Sequence, residues 1–163
     1  MLVRDPVQRQ IRYGYDWAII EAGTGQRKNN VEPELEELTA YHEAGHAVMA
    51  VVLGGRIIHV SIEPPDDDEL KRSGESIVQW PAAPAREIEE AELKVSLAGP
   101  VTEMIYQSEV QVIASVSEFA ADWHRALTGA ARLKPKLAEQ MKLISRAEVW
   151  LRHFFEQDHH WAA

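Results

Sequence analysis

The stretch from Glu32 to Gly55 constrains this chain more than any other part of it. Leu35, Leu38, His42, Gly45, Val48, Met49 and Val52 recur at three- and four-residue steps, the spacing of one helix face. Pro33 suits a first helical turn, where its missing N–H is no loss, and Glu32, Glu34, Glu36 and Glu37 suit the positive end of a helix. Gly54-Gly55 supplies the stop. The spacing predicts a helix over about 33–53, and the rest of the chain must pack around a helix whose apolar face carries histidines.

Those histidines are the ends of His42-Glu-Ala-Gly-His46. Residues four apart on a helix stand one above the other, with Cβ atoms roughly 5–6 Å apart. Two such imidazoles can reach one zinc ion at about 2.0–2.1 Å. Glu43 follows the first histidine by one position, so it sits beside the ion rather than on the histidine line. From there a carboxylate can take a proton from an activated water without itself binding the metal. Gly45 costs about 1 kcal/mol against alanine inside a helix, which points to a close approach by another part of the chain.

Zinc in a catalytic site usually takes three protein ligands. The chain has no cysteine, so the third must be His, Asp or Glu, and Glu103, Glu118, Asp122 and His124 are the downstream candidates. Asp122 stands beside Ala120, Ala121 and Ala126, on a helix that is small and easily approached. His124, two positions on, points to a different helix face. His153, His159 and His160 read as a solvated terminal cluster, His59 as a surface strand residue, and Trp80 and Trp123 as packing residues.

At 163 residues the chain is about one domain long. Its net charge of −9 argues against a general nucleic-acid or anionic-membrane surface, since both need clustered positive charge. No stretch approaches the roughly 20 apolar residues of a membrane span, and Met1 to Gln10 has no signal-peptide core. The expectation is a cytoplasmic protein. Residues 1–32 read as an N-terminal arm, with Tyr13, Tyr15 and Trp17 alternating as in a strand or packing segment, and 33–163 as one domain.

Beyond the histidine helix, Arg56 to Glu63 reads as a strand with Ile58, Val60 and Ile62 on one side, and Gly74 to Trp80 as a second strand. The acidic run Asp66 to Glu69 between them reads as a solvated turn. Pro84 to Gln107 reads as helical, with Ile88, Leu93, Leu97, Val101 and Ile105 as core candidates and a kink or split at Gly99-Pro100. Ser115 and Glu118 have capping-box spacing for a helix through about Ala131. Leu137, Met141, Ile144, Leu151 and Phe155 mark a last amphipathic helix. The fold class expected is α+β, mainly α-helical, with a small β-sheet or hairpin.

Tyr41-His-Glu-Ala-Gly-His-Ala-Val resembles the zinc helix of the peptidase domain in FtsH-type ATP-dependent metalloproteases. Leu97-Ala-Gly-Pro-Val-Thr-Glu103 is similar to that family's Leu-Gly-Gly-Arg-Ala-Ala-Glu-type helix, and Ala121-Asp-Trp-His-Arg-Ala126 to its Asn-Asp-Leu-x-x-Ala segment. The resemblance covers about 33–131 and keeps the family's order. It implies a zincin-like fold, with His42, His46 and Asp122 as Zn2+ ligands and Glu43 as the catalytic base. Pro100 and Met104 depart from the family pattern, and the chain carries no Gly-x-x-x-x-Gly-Lys-[Ser/Thr] loop of an ATPase module.

The expected activity is that of a stand-alone zinc metalloendopeptidase acting on peptides or unfolded proteins, with a substrate strand paired to the edge of the 74–80 strand. The competing expectation is a proteolytically silent zinc-bearing interaction or regulatory module. A homodimer, or docking to a larger ATPase or protease assembly, are the protein partners expected.

Overall fold

The computed structural model describes residues 10–13, 31–63, 74–108, 112–113 and 119–157. Its elements in chain order are β1 (Gln10–Tyr13), α1 (Val31–Val52), β2 (Arg56–Ser61), β3 (Glu75–Gln79), α2 (Ala85–Tyr106), α3 (Ala120–Leu133) and α4 (Leu137–Gln157). Among the described residues, four helices and a three-stranded sheet make the fold α+β and mainly helical. No helix among the described residues is long and apolar enough to cross a membrane.

Helix α1 ends where the glycines stand. Gly54 adopts a positive φ of 87°, and the N–H groups of Gly54 and Gly55 bond back to the carbonyls of Val51 and Ala50. Those bonds satisfy carbonyls that the helix end leaves open. The chain then turns directly into β2.

The sheet is antiparallel throughout, in the order β1-β3-β2. Gln10 to Tyr13 lie opposite Gln79 to Ser76, and Arg56 to Ser61 opposite Gln79 to Glu75 with an irregularity between Ile57 and His59. β3 is therefore the middle strand. The open edge expected of the 74–80 strand is absent, because a strand from the N-terminal arm occupies one side and β2 the other. Ile58, Val60 and Ile62, expected on one side of β2, are all exposed.

Helix α2 packs against α1, α3 and α4 and is buried over most of its length. It runs unbroken through Pro100, so the expected split does not occur. Proline removes one ladder donor, and packing against three helices holds the turn together. Leu93, Leu97, Val101 and Met104 join Ile144, Leu151 and Phe155 of α4 in the core. Ile88 and Ile105 are partly buried at its margin. Leu137 and Met141, expected to face the core, are exposed, since none of the described residues covers them. The third helix begins at Ala120; Ser115 and Glu118, the acidic turn 66–69, Tyr15, Trp17, His159 and His160 lie outside the described residues.

Candidate metal centre

The close approach predicted at Gly45 is made by α2. A Cβ on Gly45 would lie 2.6 Å from the Ala98 carbonyl oxygen and press on Thr102 Oγ1. The Thr102 hydroxyl sits within hydrogen-bond reach of the Tyr41 carbonyl at 3.0 Å, which ties the two helices at this crossing. With no side chain between the backbones, the histidines of α1 project directly across α2.

At that crossing His42, His46 and Asp122 converge, and all three are fully buried. His42 Nε2 lies 3.0 Å from Asp122 Oδ2 and 3.1 Å from His46 Nε2, and His46 Nε2 lies 3.6 Å from Asp122 Oδ1. Asp122 comes from the first turn of α3. The Arg125 guanidinium, one turn on, stands 3.4 Å from its other oxygen, Oδ1.

The outer nitrogens decide what the inner ones can be. His46 Nδ1 lies 2.7 Å from the Val95 carbonyl oxygen. A carbonyl only accepts, so this nitrogen carries the proton and, in the neutral ring, Nε2 is a bare lone pair. His42 Nδ1 lies 3.0 Å from Glu103 Oε2 and donates to that carboxylate in the same way. Two lone pairs and a carboxylate then face one another in a fully buried space, an arrangement that a positive charge between them satisfies. Donors about 2.0–2.1 Å from a tetrahedral ion stand roughly 3.3 Å apart, and the 3.1 Å between the two Nε2 atoms and the 3.0 Å from His42 Nε2 to Asp122 Oδ2 lie close to that value.

Gly99 leaves the room. A Cβ there would lie 2.5 Å from His46 Nε2 and 2.7 Å from His42 Nε2, squarely on the convergence point. The residues present therefore fit a metal ion. Hydrogen bonding of a ligand histidine's outer nitrogen to a carboxylate or carbonyl fixes the tautomer and aims the lone pair.

Electrostatics agree with the donor geometry. Burial opposes a charge on His42, but hydrogen bonds to Asp122 and Glu103 outweigh it and push the imidazole up to about 10. Burial opposes the Asp122 charge too, yet His46 and His42 hold its carboxyl well below the usual range. Without an ion the cluster keeps a proton in its place.

Glu43 lies beside the cluster under β3 and is fully buried. Ser76 Oγ donates to its Oε2 at 2.6 Å, whereas Oε1 has no hydrogen-bond partner among the described residues. Burial pushes the Glu43 carboxyl up, and His46, His42 and Ser76 pull it only part of the way back. A buried oxygen with no donor, next to a cation site, is positioned to take a proton. Gly74 keeps the strand close, since a Cβ there would lie 2.9 Å from Glu43 Cγ.

The other candidates fall away from the centre. Glu103 reaches the far side of His42, too far round the ring to bind the same ion, and acts as its hydrogen-bond acceptor. His124 and His153 are exposed, and His59 is half-exposed with Nε2 3.9 Å from Glu75. Trp80 is buried in the core and Trp123 packs against it. Sequence reasoning missed Ser76, Arg125 and the Val95 carbonyl. The first two are short polar contacts across long sequence gaps or one helical turn, and a main-chain carbonyl leaves no mark in a sequence. No family model matches this chain, and no curated protein matches its sequence.

Proposed function

We propose that this protein is a zinc-dependent metallopeptidase of the zincin kind, similar to the peptidase domain of FtsH-type proteases, that hydrolyses peptide bonds in peptides or unfolded proteins. The observation that carries the reading is the pairing of a three-donor cation site with a buried carboxylate oxygen, Glu43 Oε1, that has no partner among the described residues. Two imidazole nitrogens and one carboxylate are a donor set that zinc accepts, and a neighbouring carboxylate base fits the metal-assisted hydrolysis that zinc supports.

His42, His46 and Asp122 would hold the ion. When bound, it supplies Lewis-acid polarisation of water and of a peptide carbonyl. Glu43 accepts a proton from the attacking water at Oε1 and delivers it to the departing amine nitrogen. Ser76 holds the other oxygen, Oε2, and so fixes which oxygen is free. Glu103, Val95 and Arg125 orient the three ligands and add nothing to the reaction directly.

A second reading has its own support. Every group of the centre is fully buried, as in a structural site, and that favours a silent zinc-bearing module. Glu43 weighs against it, because a structural site gains nothing from a buried carboxylate with an idle oxygen. The deciding experiment uses zinc-loaded protein and casein. Glu43→Gln is expected to retain one zinc per chain and to lose on the order of 100-fold or more of the hydrolysis rate. Equal hydrolysis by the two proteins would remove Glu43 as the base, and no hydrolysis by zinc-loaded wild type would eliminate the peptidase reading.

A further inference from the structure

We propose that Arg125 is a positioning residue that keeps Asp122 a one-oxygen ligand and so holds one coordination position of the centre open. The inference rests on the metal-centre part of the proposed function and does not require proteolysis.

Asp122 is the ligand whose donor count its own chemistry leaves open. Each imidazole offers the ion a single nitrogen, because the outer nitrogen of its ring is engaged by Val95 or Glu103. A carboxylate offers one oxygen or two. Both oxygens of Asp122 lie near the imidazoles, with Oδ2 3.0 Å from His42 Nε2 and Oδ1 3.6 Å from His46 Nε2. If both bound, two nitrogens and two oxygens would fill a tetrahedral ion, as in a closed structural site. No position would then remain for water or a peptide carbonyl.

Arg125 decides between the two. It stands three residues after Asp122 on α3, so the two side chains share a helix face. Its Nη1 lies 3.4 Å from Oδ1, the oxygen that is farther from its histidine. The Arg125 side chain is 29% exposed and that of Asp122 only 1%, so the guanidinium reaches a buried anion from the rim. Arginine does not lose its charge in a protein, and its hold on Oδ1 is permanent. Sharing Oδ1 with the ion would crowd two positive charges onto one buried oxygen, and that repulsion leaves Oδ2 as the donor. Three carboxylates, from Glu43, Glu103 and Asp122, are buried around the centre. A divalent ion offsets two of their charges and Arg125 the third.

The arrangement has a consequence of definite sign. Removing Arg125 takes a positive charge from beside the ion and releases a second donor oxygen, and both changes favour metal. A partner that merely aims a ligand behaves in the opposite way, since its loss costs about 10–100-fold in metal affinity.

The test uses the full chain loaded with Co2+, a coloured stand-in for zinc, and acetohydroxamate, which binds an ion that has a position open. Arg125→Met keeps the length of the side chain and removes its charge; Arg125→Lys keeps the charge. Arg125→Met is expected to bind cobalt at least about tenfold more tightly than wild type in competition with a chelator. It should also need at least about tenfold more acetohydroxamate for the same change in the visible spectrum. Arg125→Lys should lie near wild type in both measurements. Should Arg125→Met not fold, as judged by circular dichroism, Arg125→Gln takes its place with the same shifts expected.

Weaker cobalt binding by the folded neutral variant overturns the proposal and leaves Arg125 an orienting partner only. Equal acetohydroxamate titrations do the same, as does a wild-type cobalt spectrum that does not respond to the probe. Casein separates this inference from the peptidase reading. A probe response governed by Arg125 without casein hydrolysis leaves the open position standing and removes the peptidase. Casein hydrolysis by a protein whose cobalt and probe affinities ignore Arg125 keeps the peptidase and removes the role given to Arg125.

Discussion

Helix α2 is buried on two sides, and the two sides are built on opposite principles. Toward α1 it offers the Val95 carbonyl, the bare backbone at Gly99, the Thr102 hydroxyl and the Glu103 carboxylate. Away from it, Leu93, Leu97 and Met104 belong to the hydrocarbon core shared with α3 and α4. One side leaves space and arranges charge; the other fills space and excludes water. Buried charge is costly unless compensated, so the first side depends on the second to hold it rigid. Stability should therefore reside in the apolar side and ion affinity in the polar one, and the two should be separable by mutation.

The largest effect is expected on the apolar side. Leu97 is completely buried, and Leu97→Ala removes packing and leaves a cavity, at a cost of about 2–5 kcal/mol. Chemical denaturation of metal-free protein should read that loss in full, while zinc stoichiometry under native conditions stays at one per chain. A variant that kept its stability but lost zinc would break the division between the two sides.

The polar side should reveal itself through pH. The His42 pKa is raised from 6.5 to about 10 in the metal-free chain by Asp122 and Glu103, against burial. A base held more tightly by the folded state adds stability that is fully present below its unfolded pKa. That stability is lost as pH rises through the folded value, so metal-free protein should lose several degrees of Tm between pH 6.5 and 10. Asp122 contributes no slope there, because its carboxyl is lowered and its loss of stability lies at acid pH. Zinc-loaded protein should show a much flatter profile, since the ion takes the place of the proton. Parallel profiles with and without zinc would mean that the histidines are not where the ion binds.

Glu103→Gln comes next. It keeps shape and weakens the acceptor for His42 Nδ1, so zinc affinity should fall about 10–100-fold, with little change in metal-free stability at high pH. Competition with a chromogenic chelator measures it. An unchanged affinity would reduce Glu103 to a packing residue.

These expectations also mark what the sequence could reveal. The histidine pair and Glu43 were legible because helical periodicity places them with no knowledge of the rest of the chain. Asp122 lies 80 positions from His42, and no local pattern reports a contact of that reach; its alanine-rich surroundings marked it among Glu103, Glu118 and His124, and the resemblance made it the expected ligand. Helix α1 and strands β2 and β3 followed from periodicity and glycine stops. The pairing of Gln10–Tyr13 with β3 did not, because four alternating residues suit many partners and the choice is made by tertiary contact. Of the kink or split expected at Gly99-Pro100, the split does not occur, because packing on three sides holds the helix together there.

The smallest effects belong to charges at the rim of α2, and they test whether burial or mere pairing sets the scale. Arg132 reaches from α3 to Glu89 with Nη1–oxygen distances of 3.1 and 3.2 Å, and Glu89 is largely buried. Arg86 pairs with Glu90 at a similar 3.1 Å, but both side chains are exposed. Coulomb attraction at equal distance is stronger where less water screens it, and Arg132 also joins two helices whereas Arg86 joins successive turns of one. Arg132→Ala should cost up to about 1 kcal/mol and Arg86→Ala no more than about 0.5 kcal/mol. Raising salt from low ionic strength should erase most of the Arg86 effect and less of the Arg132 effect. Equal losses with equal salt dependence would show that the rim of α2 is governed by pairing alone, and that the contrast between its two sides stops at the core.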